Sequence, residues 1–183
     1  GNTAYTGFGG GASGSTLNNC VVSDNFALYG GGIQDGTAIN CVLIRNAADS
    51  FGGQGHGGGS YGGTLVNCIV YSNDSANYLQ STFRNSCTTP HPGGIGNISG
   101  DPRFENIGLS NYRLRTDSPC LNAGDNTVVS WDKDMDGNPR IAYQAVDMGV
   151  YERQDGSETL MISPTSTNLS SATATDVVMD VMT

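Results

Sequence analysis

Polar and apolar positions along this chain follow a pattern that returns three times. Residues Thr16 to Asn25 read Thr-Leu-Asn-Asn-Cys-Val-Val-Ser-Asp-Asn, and Thr37 to Asn46 and Thr64 to Asn73 repeat that layout. Aligned on cysteine, the blocks stack Thr16, Thr37 and Thr64 in one column and Asn19, Asn40 and Asn67 in a second. Cys20, Cys41 and Cys68 form a third, Val22, Leu43 and Val70 a fourth, and Asn25, Asn46 and Asn73 a fifth. The cysteine steps are 21 and 27 residues, with 19 more to Cys87, the range in which repeats signal stacked supersecondary units. The blocks are short, β-branched and bounded by glycine, which predicts strands and not helices. Strands of one sequence type joined by a single coil run the same way. The pattern therefore predicts parallel pairing at about 4.8 Å, with like residues stacked on like.

Each column then has a physical role. Cysteine and the residue two beyond it point to the same side of a strand and are of buried types, so these two columns are expected to fill the coil. Val21, Val42 and Ile69 lie between them and should face outward, although both sides are apolar and periodicity alone leaves the choice open. The asparagines flank the strand, where a short amide bonds turn backbone, tolerates left-handed conformations, or stacks on its neighbours along the axis. Their expected role is structural. The longest insert, Ala47 to Gly63, carries His56 and Tyr61 among glycines. Inserts in a solenoid form loops that often bind. With no Ser, Cys or second His at a supporting spacing, His56 reads as solvated loop. Pro90 and Pro92 mark the approaching end of the ladder, and residues 93–153 are suited to cover its open edge.

The Thr-Leu-x-Asn-Cys-x-Val-x-x-Asn blocks, separated by Gly30-Gly31-Gly32 and Gly57-Gly58-Gly59, resemble the right-handed parallel β-helix proteins of bacterial surfaces that share a pectate-lyase-like fold. A later series is more specific: Asp101-Pro102-Arg103-Phe104, Tyr112-Arg113-Leu114, Ser118 to Gly124, Asp136 to Arg140, and Asp147 to Glu152. It resembles the end of the β-helix in the choice-of-anchor Q family of secreted bacterial proteins, a likeness that covers roughly residues 10–153. The resemblance implies an all-β fold, a right-handed parallel β-helix (solenoid) with an irregular C-terminal cap. It also implies a secreted or bacterial cell-surface location. Residues 1–92 are read as parallel β-helix coils and 93–153 as the C-terminal coil and cap. Residues 154–183, with Leu160 to Leu169 followed by Ser and Thr, read as a linker and the truncated start of an immunoglobulin-like module.

Charge narrows the partners. The net charge is −9, with four acids against two bases in residues 1–100 and thirteen against six in 101–183. A field of that sign repels phosphate backbones, so nucleic acid is excluded as an expected partner. No apolar run approaches the roughly 20 residues of a membrane-spanning helix, so no membrane span is expected. The chain opens inside a glycine-rich coil without Met or a signal-peptide core, and is expected to be a fragment lacking earlier coils. Five cysteines leave an odd thiol. Three stand in the ladder as small hydrophobes, while Cys87 and Cys120 near its end are candidates to bond each other.

Candidate chemistry is sparse. Asp132, Asp134, Asp136 and Gly137 spell the opening of a calcium loop, in which alternate carboxylates converge on a hard cation. Counted from Asp132, the twelfth position is Tyr143 and not Glu, which rejects an EF-hand. A looser calcium site using Asn138 or Asp125 stays open beside the alternative of a turn whose Asp and Asn bond their own backbone. The rungs hold only Asp24 as acid and Arg45 as base, with no column of acids, so no catalytic or cofactor-binding residue is assigned. Asp101 and Arg103 beside Pro102 read as turn residues. The expected function is a non-catalytic extracellular segment acting as a structural stalk or an adhesive, carbohydrate-binding surface. Tyr5, Tyr29, Tyr61, Tyr71 and Tyr78 are the residues expected to stack on sugar rings. Polysaccharide or cell-surface glycan and neighbouring domains of a longer chain are the expected partners. The alternative is the C-terminal part of a polysaccharide lyase or glycoside hydrolase whose active site lies elsewhere.

Overall fold

The computed structural model describes residues 1–49 and 56–154. The immunoglobulin-like reading of the C-terminal stretch falls outside the described residues, as do residues 50–55 of the glycine-rich insert. What is described is an all-β parallel solenoid of about four turns.

Each turn has four faces. Thr3–Phe8, Phe26–Tyr29 and Ala47–Ala48 (β1, β5, β9) form the first. Ala12–Ser13, Ile33–Gln34, Ser60–Tyr61 and Tyr78–Leu79 (β2, β6, β10, β13) form the second. Thr16–Asn18, Thr37–Ile39, Thr64–Val66 and Thr82–Arg84 (β3, β7, β11, β14) make the third. Val21–Ser23, Val42–Ile44, Ile69–Tyr71 and Cys87–Thr88 (β4, β8, β12, β15) make the fourth. Pairing is parallel throughout the coils, and the third face is in strict register, with Thr16, Thr37, Thr64 and Thr82 in one file. Like residues stack because the backbone returns to the same place each turn.

Corners fall every five residues, each made by one residue in the left-handed region. In the first turn these are Gly9, Gly14, Asn19 and Asp24, with φ of 64°, 58°, 52° and 60°. The next two turns place Gly30, Asp35, Asn40 and Arg45, then Gly57, Gly62, Asn67 and Ser72, at equivalent points. Glycine and asparagine visit this region at little cost, which explains the first asparagine column. Between the first and second faces the coils also approach closely. A Cβ added at Gly31 would lie 2.0 Å from Ala47 O, so no side chain fits there.

The second asparagine column points inward and is bonded along the axis. Asn25 Nδ2 donates to Asn46 Oδ1 at 3.0 Å, Asn46 Nδ2 to Asn73 Oδ1 at 3.0 Å, and Asn73 Nδ2 to Asn77 Oδ1 at 3.1 Å. Asn77 closes the series on Thr89 O at 2.9 Å. Beside it, Val22, Ile33, Ala38, Cys41, Leu43, Leu65, Cys68 and Val70 fill the coil interior.

The cysteine column ends at Cys68. Cys87 pairs with Ile69, one place further along the strand, and Ser86 takes the position beneath Cys68, accepting from Cys68 N at 3.0 Å. Cys87 therefore belongs to the outward file of Val42 and Ile69, not to the interior ladder.

That outward file is not exposed. Val42, Ile44, Ile69 and Cys87 are fully buried in a second core with Phe104, Tyr112, Leu114, Cys120, Met148 and Val150. The second core lies between the fourth face and an outer layer built from the hairpin Phe104–Asn106 and Asn111–Leu114 (β16, β17) and the irregular chain up to residue 153. The end of the ladder is met separately, by residues 95–98: Asn85 N donates to Ile95 O at 3.0 Å and Ile98 N to Ser86 O at 2.9 Å. Most of the C-terminal part thus covers a side of the solenoid and not its end. Each large apolar side chain it buries contributes about 1.5–3 kcal/mol. Polar contacts fix its position. Asn67 exchanges two bonds with the backbone of Asp125 at 2.7 and 2.9 Å, and Gly149 N donates to Asn67 O at 2.8 Å. Arg45, paired with Asp24 through two bonds of 2.8 and 3.0 Å, also donates to Ile107 O at 3.2 Å.

Candidate functional site

Aromatic side chains gather on the side of the solenoid that the outer layer leaves open. Tyr29, at the end of β5, is the centre. Its ring lies 5.3 Å from Phe8, 5.1 Å from Tyr61 and 4.3 Å from His56. Tyr5 stands 5.9 Å from Phe26 on the same face. The strands that carry these rings, Thr3–Phe8, Phe26–Tyr29 and Ser60–Tyr61, contain no charged residue. Tyr5 is 80% exposed and Phe8 52%, while Tyr29 and Tyr61 are half-buried. Phe8 stacks on Tyr29 at an interplanar angle of 19°, so the two rings cover one face of each other. Ring edges, the tyrosine hydroxyls and the outer faces of Phe8 and Tyr5 remain for a ligand.

Three of the five tyrosines read from the sequence belong to this run: Tyr5, Tyr29 and Tyr61. Tyr71 instead packs against the second core. Tyr78 packs edge-on to Phe83 at 4.8 Å and donates to Pro90 O at 3.3 Å. Phe8, Phe26 and His56 complete the run, and only alignment of the first face could have found them. His56 is not a solvated loop residue. It is buried against Tyr29, its backbone oxygen accepts from Gly30 N at 3.0 Å, and its Nδ1 has no hydrogen-bond partner.

The carboxylates cluster in the outer layer, where they shape the chain. Of the Asp-x-Asp-x-Asp-Gly series, Asp132 is exposed. Asp134 is buried; its Oδ1 accepts from Asp136 N at 2.9 Å and Asn138 N at 2.8 Å, and its Oδ2 accepts from Glu152 N at 3.0 Å. Asp136 turns the other way to accept from Arg113 Nε at 2.7 Å. The three side chains divide between turn, ion pair and solvent. Among the described residues no group of three His, Cys, Asp or Glu is placed to hold a metal ion.

Arg140, Asp147 and Glu152 form a buried charged network beneath this turn. Glu152 accepts from Ala142 N at 3.2 Å and Asp147 N at 2.9 Å, and lies 3.9 Å from Arg140. Asp147 accepts from Asn122 N at 2.7 Å and Arg153 N at 2.8 Å, while Arg140 donates to the carbonyls of Asp147 and Gly149. Burial, followed by the neighbouring Asp147, pushes the Glu152 carboxyl up from 4.5 to about 7. Burial also raises Asp147 and lowers Arg140. Raised carboxyls often mark functional sites. Here both carboxylates accept backbone amides from the segment they hold, which is a folding role.

The outer layer carries at least two clefts. One, of about 330 Å³, has Arg113 over the Tyr151 ring at 4.5 Å, with Glu105 and Arg153 at its side. The other, of about 450 Å³, is shallow and holds Trp131, 61% exposed, with Val129, Pro139 and Ile141. Compared with known proteins, the chain matches no family model, no curated protein and no solved structure.

Proposed function

We propose that this chain is a non-catalytic β-solenoid segment of a secreted or cell-surface protein, and that the aromatic run centred on Tyr29 binds polysaccharide. The observation that carries the reading is that run: Phe8, Tyr29 and Tyr61 linked ring to ring, with the Tyr5–Phe26 pair on the same face, on strands without charge, on the side the outer layer leaves free. Sugar rings present C–H faces and hydroxyl edges, which match exposed aromatic surface flanked by tyrosine hydroxyls. The parallel ladders and the internal amide series make the segment a rigid support for such a surface. The likeness of residues 101–152 to the β-helix end of choice-of-anchor Q proteins supports a bacterial, extracellular setting, and the net charge of −9 favours neutral over polyanionic glycans.

A glycan array followed by titration with the best neutral polysaccharide tests this reading. Tyr29→Ala and Phe8→Ala are expected to weaken binding about tenfold or more each, the usual effect of removing an anchoring ring. Trp131→Ala should leave it unchanged. Loss only on Trp131→Ala, or no glycan bound at millimolar concentration, refutes the assignment; release of oligosaccharides by the chain refutes the non-catalytic part.

A further inference from the structure

Two of the five cysteines meet across the seam between solenoid and outer layer. Cys87 lies on the fourth face opposite Ile69, with its Sγ 3.8 Å from Gly100 O. Cys120 follows Ser118 on the outer layer, where Cys120 N donates to Ser118 Oγ at 3.1 Å and Met148 N donates to Cys120 O at 3.0 Å. Both are fully buried in the same second core, one from the solenoid and one from the outer layer, and the two thiols interact there. In this structure they are unbonded.

The other three thiols are placed differently. Cys20, Cys41 and Cys68 stand in one file, each immediately before a strand of the fourth face and within the same parallel ladder, and each donates to a carbonyl of its own coil, at 3.1 Å for Asn18 O, 3.1 Å for Ile39 O and 3.2 Å for Val66 O. Parallel neighbours hold their Cβ atoms near the strand spacing of about 4.8 Å, beyond the roughly 3.5–4.5 Å that a disulfide takes. Cys87 and Cys120 approach from opposed layers and carry no such restraint.

We propose that Cys87 and Cys120 form a disulfide that staples the outer layer to the solenoid in an oxidising compartment. The oxidant is a disulfide of the exchange class. The Cys87 thiol loses its proton and attacks one oxidant sulfur, releasing the other as a thiol. Cys120, deprotonated in turn, displaces the oxidant's remaining sulfur, which leaves as a second thiol. Two protons and two electrons pass from the pair to the oxidant. Burial of both sulfurs places this exchange before the layer closes on the fourth face, during folding. The bond closes residues 88–119 into a loop and removes the route by which the layer would peel away.

The test refolds the full chain in a glutathione redox buffer, then counts thiols under denaturing conditions without reductant. Three free thiols of the five, a mass lower by two hydrogens, and a non-reduced digest joining the Cys87 and Cys120 peptides are expected. Reductant should lower the Tm by about 5–15 °C, the range for a staple of this loop length in a chain of this size. Cys87→Ser should show four thiols and a Tm insensitive to reductant. Five free thiols after oxidative refolding, or a bond mapped to Cys20, Cys41 or Cys68, overturns the proposal. The count on the unsubstituted chain needs no variant to fold, and neither outcome bears on glycan binding.

Discussion

Replacing Asn46 by alanine removes a central link of the internal amide ladder, and the structure sets the size of the effect. Asn46 is fully buried. Its Oδ1 accepts from Asn25 N at 3.1 Å and Asn25 Nδ2 at 3.0 Å, and its Nδ2 donates to Val22 O at 2.8 Å and Asn73 Oδ1 at 3.0 Å. Alanine orphans both Asn25 donors, whereas Val22 O stays within the parallel ladder of β4 and β8 and Asn73 Oδ1 keeps its bond from Asn46 N at 2.9 Å. Each buried group left without a partner costs about 1–3 kcal/mol. The two groups together cost about 2–6 kcal/mol, a large part of the roughly 5–15 kcal/mol that holds a domain folded.

Urea unfolding followed by circular dichroism reads that loss directly, and the Tm should fall by about 10 °C or more. Thr16→Ala, on the exposed third face, is the control and should stay within about 0.5 kcal/mol of the parent. Asn46→Asp adds a second check. Aspartate keeps the acceptor but turns the other atom into an acceptor facing Val22 O and Asn73 Oδ1, and it buries a charge. Such a carboxyl has its folded pKa raised, so its best stability lies below the unfolded value and is lost as pH rises. The Asp variant should therefore be less unstable in mild acid than at neutral pH. An Asn46→Ala cost below about 1 kcal/mol, or one no larger than that of Thr16→Ala, refutes the argument that the ladder holds the coils together.

Three further outcomes follow from the outer layer. The Glu152 carboxyl is raised to about 7 in the folded chain, so the protonated form favours folding, and stability should fall by about 3 kcal/mol as pH rises from 4.5 through 7. Thermal melts across that window read it; Glu152→Gln should flatten the slope, and a Tm that climbs with pH contradicts it. Gly149 has φ of 96°, and an added Cβ would lie 3.1 Å from Ile69 Cδ1 and 3.2 Å from Val42 Cγ2. Gly149→Val should cost about 2–4 kcal/mol through strain and overpacking, and should expose Cys87 and Cys120 to alkylation under reducing conditions while the β signal persists; unchanged protection counts against it. Because Asp134 is engaged with backbone amides and Asp136 with Arg113, melts in chelator and in millimolar calcium should coincide, and a calcium-dependent rise in Tm would show that Asp132, Asp134 and Asp136 gather on the ion.

What was legible in the sequence is what parallel stacking repeats chemically. Threonine, asparagine and cysteine columns were visible because each turn puts the same group in the same surroundings, and both roles available to asparagine are used, one column at corners and one along the axis. The remaining corners were hidden. Gly14, Asp35, Gly62 and Gln80 share a left-handed backbone but no side-chain type, as do Asp24, Arg45 and Ser72. The continuation of the cysteine column through Ser86 was hidden as well, because a serine hydroxyl fills the same small polar place as a thiol under a different residue name. The side cover was hidden for a different reason. Val21, Val42 and Ile69 showed an apolar outward file, and such a file calls for a partner surface, but nothing in the spacing said that it lay up to about a hundred residues downstream at Met148 and Val150.

The side cover also decides where a binding surface can lie. Once the fourth face is shut under the outer layer, its aromatic Tyr71 packs against the second core, and the acids of that layer other than Asp132 are engaged in holding turns and ion pairs. The opposite side of the coil follows another logic. At the corner between the first and second faces the coils approach so closely that Gly9, Gly30 and Gly57 and the glycines after them add no side chain to the surface. Phe8 and Tyr29, immediately before that bare corner, and Tyr61, on the face beyond it, therefore meet across it without intervening bulk. The glycine repeats are a condition for the aromatic run. Gly31→Val, which sets a side chain against Ala47 O, should disturb binding and coil stability together, whereas Phe8→Ala should affect binding alone.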